Sequence, residues 1–581
     1  MRRDNRNNQY STYAARSSRR SKRGGCLFVL IGLTILLFSL WQGWKAWSPD
    51  DAYPKLKPSI TQPITWDGEY SQYGARGKGE QLLLPLAAIQ EKIMPQAIYE
   101  EKSDLVILTN DHHVATVSID DGSGTWNGKP YNWGVAAERV KGEVYVPYTI
   151  LKQLGVVDVR EYSDNDVVHV MLPGQKLQSA KIVDGNHTTD SEVSVKLREG
   201  ADDNASVITE LRSSSQVYVW KSEGDWRRIQ DDQGRIGYVK QDELIMGEQS
   251  TLPNIPRVKM PEFVQKQTPV ALAWEAVYSR NPDPAKLPQM PGINVISPTW
   301  FSIADGSGKI DDKADKRLVE WAHSQQKYVW GLFSNSFDPE RTTEALATYK
   351  NRSYMTEQLL AFVKQYNLDG INIDFENVNV KDRDQLTQFV RELTPLLRKE
   401  GVVVSIDVTA KSGSGNWSRF LDRAELGRSV DYMIVMAYDE HWAASPKAGS
   451  VASLPWSREA VTRIMEEDGV PASKMVLGMP LYTRIWTETL KDGEVKVTSK
   501  ALGMKSTEEW MKEHKAKSVY SESTGQNYAE VSEGNIKYRV WLEDETSIKA
   551  RLKMAKELEL AGFGVWARSL GNEKAWELLQ Y

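Results

Sequence analysis

From Ile371 onward the octapeptide Asp369-Gly370-Ile371-Asn372-Ile373-Asp374-Phe375-Glu376 alternates in strict period two. Ile371, Ile373 and Phe375 fall on one face of a strand, and Asn372, Asp374 and Glu376 on the other. An acidic inner face is odd for an ordinary core. It fits a barrel strand whose outer face packs on helices and whose inner face lines a site. Carboxylates crowded at such a strand end do not all ionise normally, so one can hold a proton near neutral pH. A general acid needs that property. An acidic strand end could instead bind Ca²⁺ or face solvent. An EF-hand loop is excluded, because no Gly occupies its sixth position and the pattern is strand-like.

The surrounding sequence supplies the barrel. Apolar strand candidates are Val270–Trp274, Ile293–Ser297, Tyr328–Phe333, Gly370–Phe375, Val402–Ile406, Tyr432–Ala437, Met475–Met479 and Gly562–Val565, with helical segments such as Met355–Tyr366 and Arg383–Glu400 between most of them. Eight alternating strands in the C-terminal half predict a (β/α)8 TIM barrel, with an α+β insertion near residues 487–540 between strands seven and eight. The active site of such a barrel lies at the C-terminal strand ends.

The octapeptide resembles the Asp-Gly-x-Asp-x-Asp-x-Glu signature of glycoside hydrolase family 18, with Asn372 standing where an Asp is usual. Met436-Ala437-Tyr438-Asp439, at the end of strand six, matches that family's Met-x-Tyr-Asp motif. Gly478-Met479-Pro480-Leu481-Tyr482-Thr483-Arg484, at the end of strand seven, resembles its Tyr-x-Arg motif, and Trp566 ends strand eight where the family places the floor of its central sugar subsite. The resemblance covers residues 265–581. It implies catalytic roles for Glu376, Asp374, Tyr438 and Asp439, and substrate contacts from Asn372, Met436, Tyr482, Arg484 and Trp566, with no metal and no cofactor.

The implied mechanism is retaining and substrate-assisted. Glu376 protonates the glycosidic oxygen, the 2-acetamido carbonyl attacks the anomeric carbon, Asp374 holds the acetamido N–H, Tyr438 the acetamido oxygen, and Asp439 supports the distorted sugar. Asn372 can hydrogen-bond Asp374 but cannot share its charge. Gly331-Leu332-Phe333-Ser334-Asn335, at the end of strand three, looks more like the spore-cortex and cell-wall branch of the family than like true chitinases. Trp274, Trp300, Trp442, Trp486 and Trp541 are expected either as exposed walls of further subsites or as core. The substrate is expected to be N-acetylglucosamine-containing glycan, peptidoglycan rather than chitin. A chitinase, a non-catalytic glycan-binding protein on the same fold, and a wall-tethered scaffold or sensor are the alternatives.

The other half of the chain concerns location. Gly24–Trp44 is 21 residues without a charge, about 31 Å as a helix and enough to cross a bilayer. Trp41, Trp44 and Trp47 sit where interfacial aromatics are expected. Residues 1–23 carry eight Arg/Lys against one Asp, so a total of −5 leaves −12 on the remainder. The basic end predicts a cytoplasmic tail (1–23), an uncleaved signal-anchor (24–47) and everything beyond outside the cell membrane at the wall. A cleaved signal peptide is the rival, and Trp41-Gln42-Gly43-Trp44 is a poor cleavage site for one. The acidic bulk argues against nucleic acid as partner. The only cysteine, Cys26, lies in the anchor, so the exported part is expected to fold without disulfides.

After a linker (48–62), residues 63–180 resemble the stalk domain named after the N-terminal domain of copper amine oxidases. Leu82–Ile89 and Val144–Leu151 each read as a strand ending in a Pro that opens a helix. His112-His113 lacks further clustered ligands and reads as a surface turn rather than a copper site. Residues 188–247 resemble a bacterial SH3-like domain, on Val195–Arg198, Val217–Trp220, Gly224–Ile229 and Gly234–Val239. A cell-wall peptide is its candidate partner, and Trp226 and Tyr238 are expected as core rather than ligand contacts. A second linker spans 248–264.

Overall fold

A computed structural model describes residues 38–39, 60–184, 194–252, 269–491 and 493–581. The expected basic tail, the linker up to residue 59 and the anchor lie outside these residues, apart from Phe38 and Ser39, which are helical. Among the described residues no helix is long and apolar enough to cross a membrane.

The chain divides into two compact units, one of residues up to 72 with 159–252, the other of 73–158 with 253–581. In the first, a seven-stranded antiparallel sheet packs its inward residues Val195, Leu197, Leu211, Val217, Ile229 and Val239 into one small core. Trp226 and Tyr238 are not in that core. Both are half-buried on the surface, Trp226 beneath the Lys240 ammonium and Tyr238 beneath the Arg228 guanidinium. The second linker also begins later than expected, because Leu244–Thr251 is a strand paired with Lys176–Ile182.

In the second unit, residues 73–158 hold a three-stranded sheet and a five-stranded meander. The two Pro-ended runs are internal counterparts. Strand Leu83–Pro85 precedes helix Leu86–Lys92, strand Glu143–Pro147 precedes helix Tyr148–Gln153, and the strands pair antiparallel with Tyr145 opposite Pro85. Pro85 and Pro147 sit at the N-cap, one residue before the position expected, with extended ψ values of 134° and 125°. The meander docks on the barrel's helices. Arg352, 1% exposed, forks onto Glu392 at 2.9 and 2.8 Å and reaches Glu100 of the meander at 2.8 Å.

The barrel strands are β1 (Val270–Glu275), β2 (Val295–Ile303), β3 (Tyr328–Ser334), β4 (Gly370–Asp374), β5 (Val403–Thr409), β6 (Tyr432–Met436), β7 (Met475–Pro480) and β8 (Gly562–Trp566). All neighbours are parallel, and β1 pairs with both β2 and β8, so the sheet closes. Closure removes every free edge. Helix Arg383–Lys399 buries Leu386, Phe389, Val390, Leu393 and Leu397, a stripe at helical spacing, against the outer face of β4 and its neighbours. Phe375 meets Phe333 and Phe389 there, at ring distances of 5.2 and 6.1 Å.

Inside, the lower barrel is filled by Leu272, Trp330, Leu332, Tyr432 and Ile434. Trp330 stacks on Tyr432 at 5.7 Å. The space next to Gly370 is taken by the Trp330 indole, which would stand 2.4 Å from any Cβ, so a side chain there has no room. The upper barrel is polar, and the site opens above it.

The insertion starts at Tyr482, earlier than residue 487. Strands Tyr482–Lys491, Glu494–Gly503, Ile536–Trp541, Gln526–Glu533 and Val519–Ser521 form one antiparallel sheet, with helix Met504–Glu513 beside it.

Candidate active site

The site is built by the pleat of β4 and by the residues just past its end. Helix Tyr349–Tyr366 stops at Asn367, whose φ of 55° turns the chain back toward the barrel. Asp369 then fixes the start of the strand. Its carboxylate accepts from Val329 N at 2.7 Å and lies 2.8 Å from His323 Nε2. The first acid of the octapeptide is thus a clamp between β4 and β3 at the far end from the site. Asp431 does the same before β6, accepting from Val404 N at 2.8 Å and Arg398 Nε at 2.9 Å.

Inward residues climb from there. Asn372 is fully buried. Its Oδ1 accepts from Trp274 Nε1 at 2.9 Å and Ser297 Oγ at 3.2 Å, and its Nδ2 donates to Asp407 Oδ1 at 2.8 Å. Asp374 comes next, with its Oδ1 buried and bonded to no protein donor among the described residues. Burial drives its carboxyl well above the ordinary carboxylate range. Glu376 stands past the strand end. Burial, and then the charges of Asp374 and Asp439, push its carboxyl upward too, which keeps it protonated near neutral pH.

Glu376 is held by its backbone. Glu376 N donates to Asn335 Oδ1 at 3.0 Å, and Asn335 Nδ2 donates to Glu376 O at 2.8 Å and to Thr342 Oγ1 at 2.9 Å. Asn335 is 1% exposed and lies just beyond β3.

Opposite, β6 runs into Tyr438 and Asp439. Burial, then Asp407, Asp374 and Glu376, raise the Tyr438 hydroxyl, so it remains a donor. Asp439 has a φ of 60°, a left-handed conformation that Asp tolerates better than most residues. It accepts from Tyr482 OH at 2.6 Å and pairs with Arg484 Nη2 at 3.4 Å. Tyr482 and Arg484 therefore do join the site, but from the first strand of the insertion rather than from the end of β7. Met436, the last residue of β6, is half-buried below Tyr438 in sequence. Trp566 closes the rim from β8 and packs on Trp274 with ring centroids 6.0 Å apart.

Of the five tryptophans considered as subsite walls, three are core. Trp274, Trp300 and Trp486 are 1%, 1% and 0% exposed. Trp274 and Trp300 lie on strands of a closed barrel wrapped by helices, where both strand faces are buried. Trp486, on the first strand of the insertion, is buried with its Nε1 donating to Gly449 O at 2.8 Å. Trp541 is half-buried against Tyr528 at 4.9 Å, and only Trp442, on the loop after β6, is open to solvent.

Sequence reasoning missed four contributors. Asp407, 2% exposed, projects inward from β5. Asn335 positions Glu376. Phe337 and Trp417, on the loops after β3 and β5, form an exposed aromatic pair 6.2 Å apart. A polar residue breaking the apolar run of β5 was the available signal for Asp407; loop aromatics carry none. Among the described residues no group of three or more His, Cys, Asp or Glu is placed to hold a metal ion.

This arrangement can protonate a leaving group and accept a hydrogen bond from an adjacent amide. Residues 300–571 match the family model described as glycosyl hydrolases family 18. The barrel is a glycosyl hydrolase family 18 domain. Residues 191–245 match a bacterial SH3 domain. The family 18 domain places the chain among the glycoside hydrolases. The chain is 28% identical over 300 residues to the uncharacterized glycosylase YvbX of Bacillus subtilis, covering 50% of this chain and 84% of that protein. It is 26% identical over 236 residues to the cortical fragment-lytic enzyme of Bacillus subtilis, covering 40% of this chain and 53% of that protein, so it spans about half of that relative's length. Among solved structures, the Bacillus megaterium spore cortex-lytic enzyme SleL is 19% identical, with 58% of this chain and 77% of that chain covered and a TM-score of 0.48.

Proposed function

We propose that the chain is a membrane-anchored, extracytoplasmic glycosidase that cleaves β-1,4 bonds next to N-acetylglucosamine in peptidoglycan by a retaining, substrate-assisted route. The observation that carries this reading is the buried Asp374 Oδ1, an acceptor with no protein donor among the described residues, two residues before a Glu376 held in its protonated form. A second carboxylate spaced across a water molecule would favour inversion. An orphan acceptor beside the acid favours an amide N–H of the substrate as its partner.

In this mechanism the Glu376 proton moves to the glycosidic oxygen as the C1–O bond breaks and the acetamido carbonyl oxygen bonds to C1. Asp374 accepts from the acetamido N–H and offsets the charge that grows on the resulting oxazolinium ring. The Tyr438 hydroxyl donates to the acetamido oxygen. Trp566 offers an apolar face to the pyranose. Glu376, now a carboxylate, takes a proton from the water that attacks C1, and the ring opens with configuration retained. Tyr482 and Arg484 hold Asp439 at the edge of the distorted sugar.

The SH3 domain and the cortical fragment-lytic name of one relative support peptidoglycan over chitin, with wall peptide as the candidate ligand of the SH3 domain. The sequence of Gly24–Trp44 supports the anchor. The test is mass spectrometry of muropeptides and chitooligosaccharides after digestion with the purified protein. New N-acetylglucosamine reducing ends from peptidoglycan alone are expected. Cleavage of chitooligosaccharides alone makes it a chitinase, and cleavage of neither makes it a binding protein.

A further inference from the structure

We propose that Asp407 is the proton partner of Asp374, a positioning residue on β5 that shares one proton with it and is oriented by Asn372. The inference rests on the hydrolase reading above for its role, but the pairing stands on geometry alone.

Strand register brings the two acids together. In the parallel β4–β5 pair, Asn372 lies opposite Ser405 and Ile373 opposite Ile406, so the next step brings Asp374 abreast of Asp407. Ile373, Ile406 and Val408 belong to the outer core, which leaves Asp374 and Asp407 both pointing into the barrel. Asp407 is 2% exposed, and no Lys, Arg or His pairs with it among the described residues. The titratable groups it faces are Asp374 and Glu376 from β4 and Tyr438 after β6. Two buried carboxyls side by side without a cation do not both ionise, so the pair retains a proton.

Asn372 determines how that proton can be placed. Two donors, Trp274 Nε1 and Ser297 Oγ, converge on its Oδ1. A flipped amide would set donors against donors, so Nδ2 must face Asp407 Oδ1. That oxygen is therefore occupied as an acceptor, and a proton on Asp407 resides on Oδ2. When a substrate amide N–H engages Asp374, Asp374 has to be the anion, and the shared proton rests on Asp407. The proton moves between the two carboxyls and none enters or leaves the pair. Asp407 thereby spares the site a third negative charge in the step in which Glu376 gives up its own proton.

The test is a reciprocal exchange in the full chain. Asp407→Asn is nearly isosteric and should lower kcat about a hundredfold with KM changed less than about threefold. The acidic limb of its kcat profile should move to lower pH, because Asp374 then ionises without a like neighbour. Asn372→Asp combined with Asp407→Asn reverses the hydrogen bond while keeping an acid beside Asp374. It should recover at least tenfold of the lost kcat and return the acidic limb. Infrared titration gives a readout that needs no turnover: a protonated-carboxyl C=O band should be present near neutral pH in the wild type, diminished in Asp407→Asn and restored in the exchange. Wild-type kcat and pH profile in Asp407→Asn would overturn the proposal, as would loss of activity without recovery in the exchange. A wild type that cleaves no N-acetylated glycan yet shows the infrared pattern overturns the substrate reading and keeps the pair.

Discussion

Asn335 offers the sharpest separation of position from chemistry. Its side chain touches no expected sugar atom, yet it makes two hydrogen bonds to the backbone of Glu376, at 2.8 and 3.0 Å, and a third to Thr342 at 2.9 Å. Asn335→Ala leaves the Glu376 N–H and carbonyl without these partners in a largely closed site. Each such group costs about 1–3 kcal/mol, so the barrel should lose about 2–6 kcal/mol, a fall in melting temperature of about 3–9 °C for a domain of this size. The larger effect should be on rate. Glu376 stands past the end of β4, and Asn335 is the side chain that ties its backbone across to the end of β3. A displacement of about 1 Å costs on the order of a hundredfold in turnover, equivalent to about 2.7 kcal/mol of barrier. KM should move less than about threefold. The assay is steady-state hydrolysis of a fluorogenic N-acetylchitobioside well below the melting transition, with Asn335→Leu as the volume control. Leu fills the cavity without the bonds and should be as slow as Ala. Turnover within threefold of wild type in Asn335→Ala, or full recovery in Asn335→Leu, would refute the positioning argument.

Other changes test other layers. Glu376→Gln keeps the size of the acid and removes its proton, so hydrolysis should fall about a hundredfold or more while glycan binding persists; near-normal hydrolysis would remove Glu376 from the mechanism. Asp374, Glu376 and Asp407 all have carboxyls raised by burial, so the fold holds their protons more tightly than the unfolded chain does. Stability should therefore fall as pH rises above the ordinary carboxylate range, with no penalty below it, each tenfold gain in proton affinity on folding being worth about 1.4 kcal/mol. Asp407→Asn should raise the melting temperature at neutral pH and leave it unchanged near pH 3; an equal effect at both would contradict this. Arg352→Met strands the buried Glu392 and the meander's Glu100, and should cost about 3–5 kcal/mol by thermal unfolding. Adding Glu392→Leu should recover part of it, and a double variant less stable than the single would refute the account.

The barrel was legible because its strands are apolar runs at regular intervals and β4 announces its own two faces. The rim residues on β4 and β6 were legible because Asp374, Glu376 and Tyr438 lie on or just past strands whose parity is fixed. What was lost lay where one-dimensional pattern meets closure. Trp274 and Trp300 sit on strands with no solvent side, so a large aromatic there says nothing about a cleft. The apolar run Val402–Ile406 stops one residue before Asp407, whereas the strand runs to Thr409, so an inward acid looks like loop. The Tyr-x-Arg motif places Tyr482 and Arg484 on strand seven, whereas the chain leaves β7 at Pro480 and begins a new sheet two residues later. Asn335 acts on the backbone of a residue 41 positions away, a relation that no local periodicity encodes.

The hydrogen bond from Asn372 to Asp407 has a consequence for descent. Changing Asn372 alone to an acid sets carboxylate against carboxylate, and changing Asp407 alone to an amide removes the residue that takes the shared proton. Each single step passes through a poorer enzyme, while the two together return to a workable one. The two positions are therefore epistatic. Lineages should hold one arrangement or the other, amide on β4 with acid on β5 or the reverse, and seldom both acids or both amides. A strand-to-strand bond 2.8 Å long thus behaves as an inherited choice that drift cannot easily undo.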